Sequence, residues 1–253
     1  MNVLLYLYSI ESKTALNLAK NAGIGLIKPE GSVYIHNPRN LIVNWGSVSK
    51  SLTEYQNDGP VLNPTALVKR VNNKKRFFDA LSANFVRIPD YTENSEQVKR
   101  WVREGSKVIG YNESDISLIE NLSNKSNCTF FTKYIPKLWE FRVHIFNNTI
   151  IGVERKTPKE KDNNEEAVNK EFLNYHIRSN KNGFCYTMHT KETPQDVLNQ
   201  AMAATKSMDD FSFGAVDLIY NKKQNKAFVI GFNLKPLLNE DMMKSYTKMV
   251  KTL

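Results

Sequence analysis

The segment FFTKYIPKLWEFRVHIFNNTIIGVERKTP, Phe130–Pro158, reads as a strand, a short hinge and a β-hairpin. Residues 128–135 form the first strand, and Pro136 ends it because proline cannot donate to a ladder. From Glu140 to Phe146 the residues alternate. Phe141, Val143 and Ile145 share one face, and Glu140, Arg142 and His144 the other. Asn147-Asn148 suits a two-residue turn, since asparagine tolerates positive φ, and Thr149 to Lys156 returns. With such a turn Glu140 faces Arg155, Arg142 faces Val153 and His144 faces Ile151. That side then carries an acid, two guanidinium groups and two aliphatic residues, which could hold a flat apolar ring and a phosphate chain. Taken alone, the same residues also read as a half-exposed hairpin with surface ion pairs.

The surrounding composition is that of an ordinary globular chain. At 253 residues, 41% hydrophobic and 24% charged, it can bury a large core as one domain or as two or three small subdomains. No apolar run approaches the ~20 residues of a membrane span. The opening MNVLLYLYSIESK lacks a basic n-region and reads as a buried strand, and Cys128 and Cys185 are the two cysteines. Together these point to a reduced, cytoplasmic setting, without a disulfide framework or a membrane. The net charge of +9 is dispersed and fits an anionic ligand such as a nucleotide, or weak binding to nucleic acid. Four scattered histidines with no CxxC or HxxxH spacing argue against zinc.

Along the chain, a β-α-β opening is predicted. It has a strand at 2–8, a helix capped by Ser12 and stopped by Gly23, and short strands near 32–36 and 41–45. A polar segment at 47–64 links onward. A helix follows Asn72-Asn73-Lys74-Lys75-Arg76 with Phe77, Phe78 and Leu81 inward, and a second, opened by Asn94, buries Val98 and Trp101. Residues 107–111 read as a strand, 115–122 as a short helix, and 159–171 as a charged mobile loop. Further irregular strand is expected at 174–186. Thr193-Pro194 opens a helix, and strands at 213–220 and 227–233 precede a last helix carrying Met243, Tyr246 and Val250. Asp217 and Asn233 project to one side of neighbouring strands, giving oxygen donors suited to Mg²⁺.

LIVNWG at Leu41–Gly46, NNKKRFFDAL followed by RIPDY, the hinge and hairpin, FGAVDLI and VIGFNLKPLL stand in an order that resembles the ATP-grasp superfamily, particularly phage-type carboxylate–amine ligase-like proteins. The resemblance covers nearly the whole chain. It implies an α/β (α+β) ATP-grasp fold with a small Rossmann-like subdomain at 1–66, one ATP-grasp subdomain at 67–131 and a second at 132–253. It places Lys75, or its neighbour Lys74, near nucleotide phosphates, and Lys133, Tyr134 and Ile135 on the adenine hinge. Arg142 and Arg155 become catalytic cations, with Lys156, Arg178 and Asn180 near the phosphate or the acceptor. Asp217 and Asn233 become metal ligands, and the implied cofactors are ATP and Mg²⁺. The chemistry would be phosphorylation of a carboxylate by ATP and amine attack on the acyl-phosphate.

Three positions depart from the pattern. Gly231-Phe232-Asn233 stands where Glu-x-Asn is expected, and Tyr111 stands where a Lys or Arg would end a strand. Asn112-Glu113-Ser114 replaces a glycine-rich flap. Two functions therefore stay open. One is a catalytically silent or altered ATP-grasp relative that binds a host protein or nucleic acid. The other is an active ATP- and Mg²⁺-dependent carboxylate–amine ligase.

Overall fold

The computed structural model describes residues 1–112, 116–121, 127–137, 139–159 and 175–253. Those residues form three sheets. The first is parallel, in the order β2-β1-β3-β4, from β1 (Val3–Leu7), β2 (Gly25–Ile27), β3 (Leu41–Trp45) and β4 (Val61–Leu62). Helix α1 (Lys13–Ala22) crosses from β1 to β2. The Ser12 side chain accepts from the Ala15 N–H at its start, and Gly23 ends it in the left-handed conformation. Its Ala15, Leu18, Ala19 and Ala22 are buried. The strand expected near 32–36 does not form. Gly25–Ile27 follows α1 directly and takes the place beside β1, which leaves Val33 and Ile35 exposed. The expected linker at 47–64 instead contains α2 (Lys50–Tyr55) and β4.

The second sheet is antiparallel, in the order β5-β8-β6-β7, from β5 (Tyr91–Thr92), β6 (Val108–Tyr111), β7 (Ile116–Ile119) and β8 (Phe130–Lys133). Three helices precede or interleave it: α3 (Thr65–Asn72), α4 (Lys74–Ala83) and α5 (Ser95–Arg103). The short helix expected at 115–122 is overturned, because Ile116–Ile119 is a strand, while Asp115 and Leu122 lie outside the described residues. The free edge of β6 decides this. Val108 to Tyr111 pairs residue for residue with Ile119 to Ile116, and Ile119 is buried with Val98, Trp101 and Phe131. An available ladder outweighs weak local helix preference.

The third sheet is also antiparallel. Its order is β11-β10-β9-β12-β13, from β9 (Trp139–Phe146), β10 (Thr149–Pro158), β11 (Phe184–Met188), β12 (Phe213–Asn221) and β13 (Lys226–Asn233). Of the irregular strand expected at 174–186, only its end is strand. The charged loop at 159–171 lies outside the described residues apart from Lys159. Phe141, Val143 and Ile145 are fully buried in one core with Val197, Ala201 and Ala204 of α6 (Gln195–Lys206). Burying each such large apolar side chain contributes about 1.5–3 kcal/mol. The other face of β9 packs against α7 (Glu240–Val250), where His144 meets Tyr246.

The Asn147-Asn148 turn forms as read, with φ of 45° and 58° at its two residues. Beyond it the register differs from expectation. Phe146 pairs Thr149 and Ile145 pairs Ile150, but a bulge then shifts His144 onto Gly152 and Arg142 onto Glu154. Gly152 lies at the bulge. The Met242 thioether of α7 occupies the space a Cβ would need there, so the helix closes on the sheet only over glycine. Slipping by one residue exchanges the two faces of β10.

The first and third sheets share a core. Trp45 stacks on Phe213 at 5.6 Å and meets the Tyr246 edge at 5.7 Å, and Phe146 stacks on Phe213 at 5.5 Å. Asn63, fully buried, ties the same seam. Its amide donates to Phe213 O at 2.8 Å and its Oδ1 accepts from Ser212 N–H at 3.0 Å. No helix among the described residues is long and apolar enough to cross a membrane.

Candidate functional site

The hinge between β8 and β9 places the second sheet against the third, and a cleft of about 250 Å³ opens between them. That volume lies near the small end of ligand pockets, which run from roughly 300 Å³ upward. Because β9, β10, β11 and β12 are in register, the cleft floor is built in rows. Tyr186, Lys156, Glu140 and Ile219 form one row; in the next, Asp217 and Gly231 line the cleft, while Arg142 and Glu154, paired into the same row, do not.

The bulge in β10 determines which charges reach this floor. Arg155, expected there, pairs with Phe141 on the opposite face and lies over the Trp139 ring at 5.8 Å. Lys156 and Glu154 take the floor side instead. Lys156 reaches Glu140 at 2.9 Å, and Lys137 of the hinge reaches the same carboxylate at 2.6 Å. Burial would push the Glu140 carboxyl up, but the two ammonium groups hold it below the usual carboxylate range. On that same face but outside the cleft, Glu154 bonds His144 at 2.8 Å and accepts from the Asn239 amide at 2.7 Å, so it serves the packing of α7.

Asp217 and Arg142 form a bidentate pair at 2.7 and 2.9 Å, with the Tyr186 ring 4.0 Å from the guanidinium carbon. Burial alone would raise the Asp217 carboxyl. The Arg142 charge and its hydrogen bonds reverse this and hold it low, while the Arg142 guanidinium is driven up in turn. Burial pushes the Tyr186 phenol well up, and the Asp217 charge adds to that effect.

Of the two lysines opening α4, the cleft takes Lys74. Its ammonium donates to Ile230 O at 3.1 Å and lies 5.2 Å from the Tyr111 ring centre. Lys75 pairs Asp79 at 2.6 Å and does not line the cleft, so of the two candidates only Lys74 reaches it. Helix geometry alone gives the reason, since adjacent residues diverge by about 100°. Lys133, Tyr134 and Ile135 all line the cleft, and Lys133 is also held by Asp90 at 3.2 Å. Arg178 is buried and lines it too. Asn180 does not: it sits in the turn ahead of β11, where its carbonyl accepts from the Gly183 N–H. The sequence reading did not single out Tyr186, Lys137 or His176 for the cleft. Lys137 was in reach, as a lysine beside the hinge proline. Tyr186 becomes visible only once its partner strand is known.

Among the described residues the cleft therefore carries five basic side chains against two carboxylates, with Ile109, Ile135, Ile177 and Ile219 supplying apolar wall. This donor set fits an anionic ligand with a flat apolar part, such as ATP. Mg²⁺ fits poorly. It requires several oxygen donors in an octahedral arrangement. Here both Asp217 oxygens accept from Arg142, and the Asn233 Oδ1 accepts from the Lys235 N–H at 3.0 Å. Gly231, paired directly with Asp217, offers no side chain. Among the described residues no cluster of three or more His, Cys, Asp or Glu is arranged to hold a metal.

No protein-family model matches the sequence, and no curated protein matches it. Solved structures do match. The D-alanine–D-alanine ligase of Bacillus anthracis complexed with ATP superposes with a TM-score of 0.69 at 10% identity, covering 98% of this chain and 94% of that one. The ATP-grasp ligase PsnB, complexed with minimal precursor, Mg and ADP, gives 0.68 at 10% identity over 98% and 96%. The macrocyclase MdnC bound with precursor peptide MdnA, from Microcystis aeruginosa MRC, gives 0.64 at 14% identity over 98% of both chains. At these identities the likeness establishes the fold, which is that of the ATP-grasp ligases.

Proposed function

We propose that this chain, built on the ATP-grasp fold with subdomains at 1–66, 67–131 and 132–253, binds a nucleoside polyphosphate but does not run the ligase cycle. It would work through a macromolecular partner, a host protein or a nucleic acid. The supporting observation is that both carboxylates of the cleft are already neutralised. Asp217 is held by Arg142, Glu140 by Lys137 and Lys156, and a glycine stands beside Asp217. Two-metal neutralisation of a transferring phosphoryl group needs carboxylates that are free to coordinate. The full chain incubated with ATP, Mg²⁺ and candidate carboxylates and amines is expected to release no ADP above background. Sustained ADP release would overturn this reading.

A second reading, an active ATP- and Mg²⁺-dependent carboxylate–amine ligase acting through an acyl-phosphate, draws support from the cationic lining of Lys74, Lys156 and Arg178 and from the PsnB and MdnC likeness. ADP release that requires both Mg²⁺ and an added amine would establish it.

Gly231→Glu separates the two. The three atoms nearest a Cβ at 231 all belong to Asp217, the closest at an ordinary contact distance of 3.5 Å, so a Cβ is admitted beside that carboxylate. Two neighbouring carboxylates repel until a cation binds them. The variant should melt below wild type in EDTA and gain thermal stability on adding Mg²⁺, by mass action. Wild type should gain none. Equal Mg²⁺ stabilisation of both proteins would show that the native cleft already holds the ion.

A further inference from the structure

We propose that the cleft binds its nucleoside polyphosphate without a divalent metal, with the Lys74 ammonium as the built-in counter-cation. This rests on the nucleotide-binding reading above and specifies how that site neutralises phosphate charge.

The surroundings of Lys74 carry the inference. It is the first residue of α4, so its side chain leaves the helix at the cleft wall. Its ammonium is anchored by the Ile230 carbonyl at 3.1 Å, one residue before Gly231. It lies 5.2 Å from the Tyr111 ring centre and 5.9 Å from that of Phe78, and both ring faces favour a cation. Burial lowers the ammonium's pKa, and the Asp217 charge acts in the opposite direction. Gly231 leaves open the space beside Asp217 that a longer side chain would fill. A fixed ammonium therefore stands at the point in the cleft where one acid is present and a second is missing.

The other charges agree. A divalent metal needs oxygens with available lone pairs, and the oxygens of Asp217 and Glu140 are taken by Arg142, Lys137 and Lys156. With basic side chains in excess, the cleft best complements a polyphosphate carrying its full negative charge. Chelation by Mg²⁺ lowers that charge and adds a cation to a site already rich in them.

Isothermal titration of the full chain with ATP, once in EDTA and once in excess Mg²⁺, tests this. The affinity in EDTA should equal or exceed that in Mg²⁺. Lys74→Met, checked by circular dichroism for a native spectrum, should bind ATP in EDTA about ten-fold more weakly. Tighter binding with Mg²⁺ would overturn the inference while leaving nucleotide binding in place. Wild-type affinity in a folded Lys74→Met would equally overturn it. The comparison of wild type in the two buffers stands even if that variant does not fold. Absence of ATP binding in both buffers would remove the nucleotide-binding reading itself.

Discussion

Trp45→Ala should destabilise the protein by ~3–5 kcal/mol, the range for removing a large aromatic side chain from a packed core. Trp45 is 1% exposed and ends β3, the strand that carries the first sheet to its seam with the third. There it stacks on Phe213, whose other neighbour Phe146 ends β9, and it meets Tyr246 of α7 edge-on. Alanine would leave a cavity walled by the Phe213 and Tyr246 rings, from a strand and a helix, neither of which can collapse without moving its element. Trp45→Phe keeps part of the stack and should cost less than alanine does. Urea unfolding followed by circular dichroism measures both. A loss below ~1 kcal/mol for Trp45→Ala would mean that the seam contributes little to holding the two sheets together. Phe213 also begins β12, so loosening the seam should be felt four residues on, at Asp217.

Arg142→Met should cost ~3–5 kcal/mol, the price of leaving a partly buried charge without its partner. The Asp217 side chain is 20% exposed, and its two oxygens take both guanidinium donors. Asp217→Leu alone should cost a similar amount, since Arg142 is then orphaned. The double variant Arg142→Met/Asp217→Leu should recover most of the loss, because two apolar groups of similar volume replace an ion pair with little net penalty. If the double variant is as unstable as the sum of the singles, the pair is not coupled.

The pH dependence gives the same pair a second signature. In wild type Asp217 is held below its ordinary value of 3.8. Its contribution is therefore present above 3.8 and lost as pH falls through the lower folded value. In Arg142→Met burial acts without that counter-charge, and the folded carboxyl moves up. The folded state then binds more protons than the unfolded one, and the variant gains stability as pH falls toward 3.8. Opposite slopes of stability against pH in the acid range are the expected outcome.

Local chemistry explains why much of this fold was readable in advance. Ser12 and Gly23 bound α1 because a hydroxyl acceptor and a residue with free access to positive φ are what helix ends require. Asn147-Asn148 turned the hairpin for a related reason. Phe141, Val143 and Ile145 alternated, and all three went inside. The readings that failed were those needing a neighbour. Residues 32–36 look like a strand, but Gly25–Ile27 already holds the place beside β1. Ile116–Ile119 looked helical, yet β6 offered an edge and it paired.

The same division runs through the site. Sequence order alone determined that the hinge, the hairpin and the two C-terminal strands would meet, and that a glycine would stand beside Asp217. Tertiary structure alone decided which cations face the cleft. One bulge beside Gly152, where the Met242 side chain of a helix about ninety residues away in sequence leaves room only for glycine, exchanged the faces of β10. It sent Arg155 to the back of the sheet and brought Lys156 forward. Strand alternation has a period of two, so a single inserted residue reverses every later assignment, and no local signal in the hairpin records the thioether packed beside it.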